Sequence, residues 1–390
     1  MDADMTAPAQ GYDIIVIGLG AWGACVAREL AERGQRVLGL DRYAPPHEHG
    51  SSHGSSRIVR MATTNDPAYT PLFTRAFERM HDLQRASGLE LFRPVGGLSV
   101  APPTHPMNAD LVPAYERYGL SYEVFAADDL RRRYPWLNAD DDEIGIYDAT
   151  AGIAWPEQVV EAQHAQARQA GAELRVNERV TGWEPTSTGL RVTTERGVYE
   201  AGQLVIATGA WLPDLLGYNL PFAPERQVQM WFTPRERPEW FLGADVPWLL
   251  AACDPPAEYS YAMPDFSVPG IKFGLHRGGA IGHPDDIERT VQPAEVEAVR
   301  AELQRRMPLL NGELALAKTC VYENALDHHY IVGPHAAEPR VMLAGGGSGR
   351  GFAMSFVVGE VVADLLAGVE RPELALLSPA RFGGTAQSPD

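Results

Sequence analysis

Three glycines near the start of the chain have the spacing of a phosphate-binding turn. Gly18, Gly20 and Gly23 form the pattern G-x-G-x-x-G, and Asp41 follows them at the end of the next apolar run. In such a turn the glycines permit a tight bend, a close approach of backbone to pyrophosphate, and close packing of a helix on a strand. An acid at about this distance binds a ribose hydroxyl. These residues predict a dinucleotide site, and the pattern alone leaves both NAD and FAD open.

A second group of glycines, near the end of the chain, favours FAD. The stretch "LAGGGSGRGF" contains Gly347, Gly349 and Gly351 and offers a backbone nest suited to the negatively charged edge of a flavin ring. The apolar stretch "LVIATGAW" ends in Gly209, as a strand does where a flavin enzyme returns to its cofactor lobe. A plain turn remains the alternative for the C-terminal glycines.

One strand carries residues that could do redox chemistry. In "GIKFGLH", the period of two places Lys272, Gly274 and His276 on one face. A lysine on a strand is usually a solvated surface residue, so the shared face is the reason to consider Lys272 and His276 together.

The elements that must position these residues follow from apolar periodicity. "DIIVIG" and "QRVLGLD" read as buried parallel strands, with a helix from Trp22 to Arg33 between them. Helical spacing dominates from Arg57 to Gly88, and "GGLSV" reads as a short strand. Residues 221–311 alternate as an antiparallel sheet does. The C-terminal stretch predicts a strand, a glycine turn and a long helix.

These patterns predict a two-lobed α/β protein with a Rossmann-type FAD-binding lobe and an inserted lobe of antiparallel sheet. The predicted FAD-binding domain is discontinuous and comprises residues 1–85, 150–222 and 320–390. The predicted substrate-binding domain comprises residues 86–149 and 223–319.

Composition excludes several classes of function. The 390 residues carry a formal charge of −18, which argues against nucleic acid and anionic membranes as partners. The start "MDADMTAPAQ" lacks the features of a signal peptide, and no apolar run is long enough to span a membrane, so we expect a cytoplasmic protein. The three cysteines are scattered, so neither a disulfide framework nor a metal site is expected.

Several segments, in order, resemble the sarcosine oxidase and N-methyltryptophan oxidase family. They are "GLGAWG", "PPHEHGSSHGSSRIVR", "GIAWPEQ", "ATGAW", "GIKFGLH", "TCVYENALDHHYIVG" and "GGGSGRGF". The resemblance runs from about Tyr12 to Gly368. It implies an FAD lobe of glutathione-reductase type and a sheet-rich substrate lobe. It also implies oxidation of the C–N bond of a secondary amine to an imine, with oxygen reduced to hydrogen peroxide.

The resemblance further implies a role for individual residues. Cys320 matches the cysteine that bonds covalently to the flavin, and Lys272 matches the lysine that activates oxygen. Three positions match residues that lie against the flavin: His53, Ser56 and Arg57. Two match substrate-site residues: His276 and Tyr322. Arg60 matches the arginine that binds the substrate carboxylate. We also predict that Arg42 and Val180 bind the cofactor.

The chain departs from the family where a second cation binds the carboxylate. The family pattern "GHGFK" reads "GRGFA" here, with Arg350 for the histidine and Ala353 for the lysine. Either Arg350 supplies the missing charge, or the substrate has no α-carboxylate at that place and is a bulkier, less acidic amine. Four aromatic residues could line such a pocket: Trp231, Phe232, Tyr259 and Tyr261. A plain core position is the commoner role for such residues.

Two other functions stay open at this point. One is a flavin amine dehydrogenase or demethylase that uses an acceptor other than oxygen. The other is a protein that binds a dinucleotide without redox turnover. A monomer is the weakly favoured assembly.

Overall fold

The structure, a computed structural model, describes residues 11–63, 66–241, 246–255, 257–264 and 270–383. The stretch "MDADMTAPAQ" and the outer ends of the predicted FAD-binding domain, residues 1–10 and 384–390, lie outside the described residues. The predicted domain boundaries stay a prediction.

The strands and helices below are numbered in chain order. The strands are β1 (Gly11–Ile17), β2 (Val37–Leu40), β3 (Arg57–Val59), β4 (Phe92–Arg93), β5 (Gly97–Ala101), β6 (Glu123–Ala126), β7 (Ile144–Asp148), β8 (Gly152–Ala154), β9 (Glu173–Arg175), β10 (Val180–Pro185), β11 (Leu190–Thr194), β12 (Val198–Ile206), β13 (Phe222–Phe232), β14 (Trp248–Ala252), β15 (Tyr259–Pro264), β16 (Ile271–His276), β17 (Leu314–Ala325), β18 (Ile331–Pro334) and β19 (Val341–Gly345). The α-helices are α1 (Ala21–Glu32), α2 (Thr70–Ser87), α3 (Pro106–Tyr118), α4 (Ala127–Arg133), α5 (Pro156–Gln169), α6 (Pro293–Arg306) and α7 (Val358–Leu366).

The first sheet has a parallel centre. Strand β1 pairs in parallel with β2 and β12, β2 pairs in parallel with β9, and β12 pairs in parallel with β19. Strands β10, β11 and β12 form an antiparallel meander at one side. Helices α1, α2, α5 and α7 cover one face of this sheet, and its parallel strands β2 and β19 are buried throughout because both faces are covered there.

The second sheet follows the order β17-β13-β16-β15-β14-β5-β7-β6. Its pairings are antiparallel except for β14 with β5, which is parallel. Helices α4 and α6 pack on one face through apolar side chains such as Leu130 and Leu303. The other face turns toward the first sheet. The predicted two-lobed α/β fold is confirmed, and the single parallel pair is a detail that residue alternation does not reveal.

Three local predictions were wrong. Arg57–Val59 is not helical but a short strand that pairs with Gly152–Ala154. The long C-terminal helix is interrupted: a 3₁₀ helix over Gly351–Phe356 precedes α7, which has nine residues. Helix α6 lies in a region predicted as sheet, although a capping box between Gln292 and Glu295 marks its start.

Among the helices in the described ranges, none combines the length and the apolar character needed to cross a bilayer.

Candidate active site

A cavity of about 530 Å³ lies between the glycine turn after β1 and the open face of the second sheet. We call it the central cavity. Most of the predicted site residues line it: Gly18, Gly20, Asp41, Arg42, Arg57, Arg60, Val180, Gly209, Lys272, His276, Cys320, Tyr322, Gly347, Gly349, Arg350, Gly351 and Ala353. His53, Ser56 and Gly23 are not among its lining residues.

The glycine turn has the geometry that its spacing predicts. Gly18 has a φ of +91°, and a Cβ there would lie 2.4 Å from the carbonyl oxygen of Ala207. A Cβ on Gly23 would lie 1.8 Å from the carbonyl oxygen of Gly18, so this glycine permits α1 to pack on the turn. Helix α1 begins at Ala21 and directs its N-terminus toward the turn, where an anion is stabilised.

Asp41 is anchored at the end of β2 by backbone hydrogen bonds. Its Oδ2 accepts from Leu19 N at 2.7 Å and its Oδ1 accepts from Tyr43 N at 2.8 Å. Burial raises the pKa of Asp41 to about 6, against the lowering effect of these two N–H groups. Each oxygen keeps lone pairs for ribose hydroxyls, because a carboxylate has about four acceptor sites.

One face of the second sheet supplies the chemical groups of the central cavity. Gln227 on β13 pairs with Cys320 on β17, and Trp231 on β13 pairs with Lys272 on β16. Paired residues share a face, so these strands direct Gln227, Lys272 and Cys320 to the same side. Tyr322 and His276 follow by the period of two. All of these except Trp231 line the cavity.

Lys272 ties the second sheet to the segment after β2. Its ammonium donates to the carbonyl oxygens of Gly54 and Ser56, both at 2.9 Å, and lies 5.3 Å from the ring centroid of Trp231. The side chain is almost fully buried. These contacts place a buried cation at the wall of the cavity.

His276 and Tyr322 form a hydrogen-bonded pair. His276 Nδ1 lies 3.1 Å from the Tyr322 hydroxyl, and Arg277 Nε donates to His276 Nε2 at 3.3 Å. Burial, with Arg350 and Arg277 nearby, lowers the pKa of His276 well below its usual value, so the ring is neutral. Since Nε2 accepts, Nδ1 carries the single ring proton and donates to Tyr322. The Tyr322 hydroxyl proton is then available toward the cavity.

His53 and Arg57 differ in their access to the central cavity. Arg57 lines it and donates to the carbonyl oxygens of Ser51 and Ser56 at 2.9 Å each, as well as to that of His53. His53 is buried behind this segment, and burial together with Arg57 lowers its pKa to about 3. His53 is therefore a neutral residue of the wall behind the cavity.

Two arginines that were predicted to bind the substrate, Arg60 and Arg350, line the central cavity. Arg60 is half-buried, lies 5.6 Å from the ring centroid of Trp248, and donates to Ser99 Oγ at 3.4 Å. Burial lowers the pKa of this guanidinium. Arg350 lies 3.4 Å from the carboxylate of Glu258, and its backbone carbonyl accepts from the Tyr330 hydroxyl at 3.1 Å. Both arginines line the cavity, as does Ala353.

The C-terminal glycine segment is held in a manner that the sequence does not reveal. Backbone N–H groups of Gly346 and Gly347 lie close enough to the carboxyl group of Glu323 to favour its ionised form, and Ser348 N donates to the Glu323 backbone carbonyl at 3.2 Å. The protein's own carboxyl group thus lies beside part of the predicted nest. A Cβ on Gly349 would lie 2.6 Å from the Tyr322 ring, so glycine is required there.

Sequence reasoning missed many of the lining residues and resolved the four aromatic candidates only in part. Among the missed residues are Tyr43, Gln227, Gln229, Glu323 and Ser52, which accepts from Ala21 N at 3.0 Å. Of the four aromatic candidates, Tyr259 and Tyr261 line the cavity. Trp231 lies beneath Lys272, and Phe232 is buried in the core against α6. Strand register could have identified Gln227 and Gln229, because both share the face of Trp231.

The described residues fit FAD. The glycine turn and the N-terminus of α1 suit a diphosphate, Asp41 suits a ribose, and the cavity extends from there to Cys320, Lys272 and His276. The sequence profile of the family described as FAD dependent oxidoreductase matches residues 13–365. The protein is a member of that family.

Two curated relatives of this FAD-dependent oxidoreductase are similar along nearly their whole lengths. Monomeric sarcosine oxidase of Streptomyces avermitilis is 40% identical over 376 residues, covering 95% of this chain and 98% of the relative. N-methyl-L-tryptophan oxidase of Escherichia coli is 30% identical over 358 residues, covering 90% and 94%. The resemblance read from the sequence is confirmed.

Solved structures share the fold of the FAD-dependent oxidoreductase. NikD, an unusual amino acid oxidase, matches with a TM-score of 0.81 at 22% identity, covering 95% of this chain and 97% of that one. L-proline dehydrogenase from P. horikoshii matches with a TM-score of 0.83 at 22% identity, covering 96% and 99%. At this level of identity the likeness bears on the fold alone.

Proposed function

We propose that the protein is an FAD-dependent oxidase of secondary amines that carry an α-carboxylate, and that it reduces oxygen to hydrogen peroxide. The observation that carries the proposal is the joint placement of Lys272, His276, Cys320 and Tyr322 along one face of the second sheet, in a cavity that fits FAD. The names of two relatives, for sarcosine and N-methyl-L-tryptophan, agree with an N-methylated amino acid as substrate.

The carboxylate binds between Arg60 and Arg350. A guanidinium that is partly removed from water is stabilised by an anion beside it. Burial lowers the pKa of Arg60, and a bound carboxylate would offset that effect. Arg350 shares Glu258 with Arg277 at the same wall, so it can approach an incoming carboxylate without leaving the cavity. Arg350 therefore takes the place of the lysine that Ala353 removes, and Ala353 leaves room for a side chain larger than that of glycine.

The amine binds as the neutral base, because a protonated nitrogen has no lone pair to release. Lys272, Arg57, Arg60 and Arg350 line one cavity and disfavour a further positive charge in it. The neutral His276 keeps the Tyr322 hydroxyl oriented through the Nδ1 hydrogen bond, and that hydroxyl donates to the substrate. When bound, FAD supplies the two-electron acceptor for oxidation of the C–N bond.

Lys272 serves the oxidative half of the cycle. Its buried ammonium stabilises the negative charge that oxygen acquires on reduction. Cys320 lies in the cavity wall, and we propose that its thiol would bond covalently to a ring methyl carbon of FAD. The thiol and the methyl group would each lose a hydrogen, and the two electrons would pass through the flavin to oxygen. An enzyme with another electron acceptor is the second candidate, and Lys272 is the residue that discriminates between the two.

The test is a visible spectrum of the purified protein, recorded first without oxygen. An N-methyl amino acid should bleach the flavin absorbance, and admitting air should restore it with release of hydrogen peroxide. In a Lys272→Met variant, bleaching should persist while reoxidation by air slows by at least tenfold. Reoxidation at an unchanged rate would remove Lys272 from the oxygen reaction and favour the other acceptor. Absence of any flavin absorbance would contradict the proposal at its first step.

A further inference from the structure

Glu323 occupies a position between the two glycine groups of the central cavity. It follows Tyr322 on β17, so its side chain is on the opposite face from Cys320 and Tyr322. A Cβ on Gly347 would lie 2.8 Å from Glu323 Oε1, and a Cβ on Gly209 would lie 3.6 Å from Oε2. The carboxyl group therefore lies between two segments predicted to bind the cofactor.

The two oxygens of Glu323 differ in their surroundings. Oε1 lies on the side of Gly347, whose N–H group, with that of Gly346, favours the ionised form of the carboxyl group. Oε2, however, is inaccessible to solvent and has no hydrogen-bond partner among the described residues, although the side chain lines the cavity. A buried polar atom without a partner is destabilising and rare in native structures, so a ligand that fills the cavity is expected to complete it.

Burial raises the pKa of Glu323 to about 7, against the lowering effect of the Gly347 and Gly346 N–H groups. The charged groups on the neighbouring elements have partners of their own. Glu225 on β13 accepts from Asn324 and Gln227, Asp214 pairs with His283, and Arg350 pairs with Glu258. Glu323 therefore exchanges its proton close to neutral pH.

The surroundings of Gly209 and Gly349 indicate which part of a bound FAD would lie beside Glu323 Oε2. Gly209 follows Ala207, whose carbonyl faces Gly18 in the phosphate turn, whereas Gly349 contacts the rings of Tyr322 and His276 at the reacting end. Oε2 lies between these ends, where FAD has the hydroxyl-bearing ribityl chain that joins its diphosphate to its ring system. We propose that Glu323 is a cofactor-binding residue whose neutral carboxyl group donates a hydrogen bond from Oε2 to a hydroxyl of that chain. The proposal depends on FAD as the occupant, as the proposed function does.

This contact couples FAD binding to a proton. An ionised Glu323 would share the cavity with the two negative charges of a diphosphate, so bound FAD favours the protonated form and raises the pKa of Glu323 further. A group whose pKa rises on binding contributes affinity that is fully present below its pKa in the free protein. That contribution is lost as pH increases above about 7, the value for the free protein.

The experiment measures the FAD dissociation constant by fluorescence at pH 6.0 and pH 8.5. All proteins carry Cys320→Ser, so that covalent attachment cannot hide the equilibrium. We expect the Glu323 protein to bind FAD at least fivefold more weakly at pH 8.5 than at pH 6.0. Glu323→Gln keeps the donor without a charge and should bind equally well at both values. Glu323→Ala should bind about tenfold more weakly than Glu323→Gln at pH 6.0.

Two results would overturn the inference. One is the same pH dependence in the Glu323 and Glu323→Gln proteins, and this comparison suffices even if Glu323→Ala does not fold. The other is an unchanged affinity in a folded Glu323→Ala protein. If none of the proteins binds FAD, including the Glu323 protein, the cofactor assignment fails and the inference fails with it. If instead all of the proteins bind FAD tightly and substitution of Glu323 has no effect, the inference about Glu323 fails while the cofactor assignment stands.

Discussion

At the scale of single residues, the thiol of Cys320 is the group whose role is most open to a direct chemical test. Its Sγ lies in the cavity wall, 4.0 Å from the carbonyl oxygen of Gly50, and the side chain is buried. Cys25 is buried beside α7, outside the cavity, where its Sγ accepts from Gly359 N. The structure therefore separates a thiol that lines the central cavity from one that serves packing.

We predict that flavin remains attached to the protein after denaturation and gel electrophoresis, where its fluorescence marks the band. Cys320→Ala should abolish the fluorescent band, because no other thiol lines the cavity among the described residues. Cys253→Ala is the matched control and should keep it. A fluorescent band that survives in Cys320→Ala would assign the attachment to another residue.

His276 should influence the rate of flavin reduction by substrate without determining how that rate depends on pH. The pKa of His276 is lowered by burial and that of Tyr322 is raised by burial, so neither titrates between pH 6 and pH 9. The acid limb of flavin reduction then reports a group other than His276 and Tyr322, such as the substrate amine or Glu323. We predict that His276→Asn slows anaerobic flavin reduction about tenfold, the scale of a lost hydrogen bond, and leaves that limb in place. Stopped-flow absorbance measures both. A limb that moves or vanishes would instead make His276 the titrating base.

At the scale of elements, the turn between β1 and α1 determines whether FAD binds at all. We predict that Gly18→Ala loses most of its FAD and unfolds at a lower temperature, because Cβ would meet a carbonyl oxygen in addition to the strained φ. Gly34 is the matched control: its φ is +84°, and a Cβ there meets nothing within 4 Å. Gly34→Ala should cost only the ~1–2 kcal/mol of a left-handed alanine and should keep its FAD. Thermal unfolding and flavin absorbance measure the two effects. Equal losses in both variants would mean that backbone strain alone accounts for Gly18.

Individual elements differ in how well the sequence predicts them. The unit β1, α1 and β2 was predicted because its signals are local: an apolar run, a helical period and glycines at both ends. Arg57–Val59 was missed because three residues have no measurable period, and the strand exists only through pairing with Gly152–Ala154. Trp231 and Phe232 are adjacent on β13 and face opposite sides, so their surroundings depend on sheet register. Glu323 was missed because its role comes from contacts with Gly209 and Gly347, which belong to segments distant from it in the chain.

At the scale of the whole molecule, the protein combines a strongly acidic composition with a cationic cavity. The net charge of −18 opposes self-association, since like-charged copies repel. Six large apolar side chains in the described ranges are exposed, and they belong to separate parts of the fold: Leu89, Val124, Val198, Ile281, Leu326 and Val369. These observations support a monomer as a proposal.

We predict a mass of 42.6 kDa, plus that of FAD, from light scattering after size exclusion. The measurement should be made at low and at high ionic strength, because salt screens the repulsion between copies. A constant mass supports the monomer. Twice that mass at both ionic strengths would show a dimer held by contacts other than charge.

The central claim is that Arg60 and Arg350 bind the carboxylate of an amine whose oxidation the cavity supports. The most direct measurement is anaerobic bleaching of the flavin by an N-methyl amino acid and by the matched amine that lacks the carboxylate. We predict that the amino acid bleaches the flavin at far lower concentration. Arg350→Ala should raise that concentration by about tenfold to hundredfold, the range of a charge-assisted hydrogen bond, whereas the exposed-site control Arg191→Ala should not. Equal bleaching by both amines, unaffected by Arg350→Ala, would contradict the account and make the substrate an amine without a carboxylate.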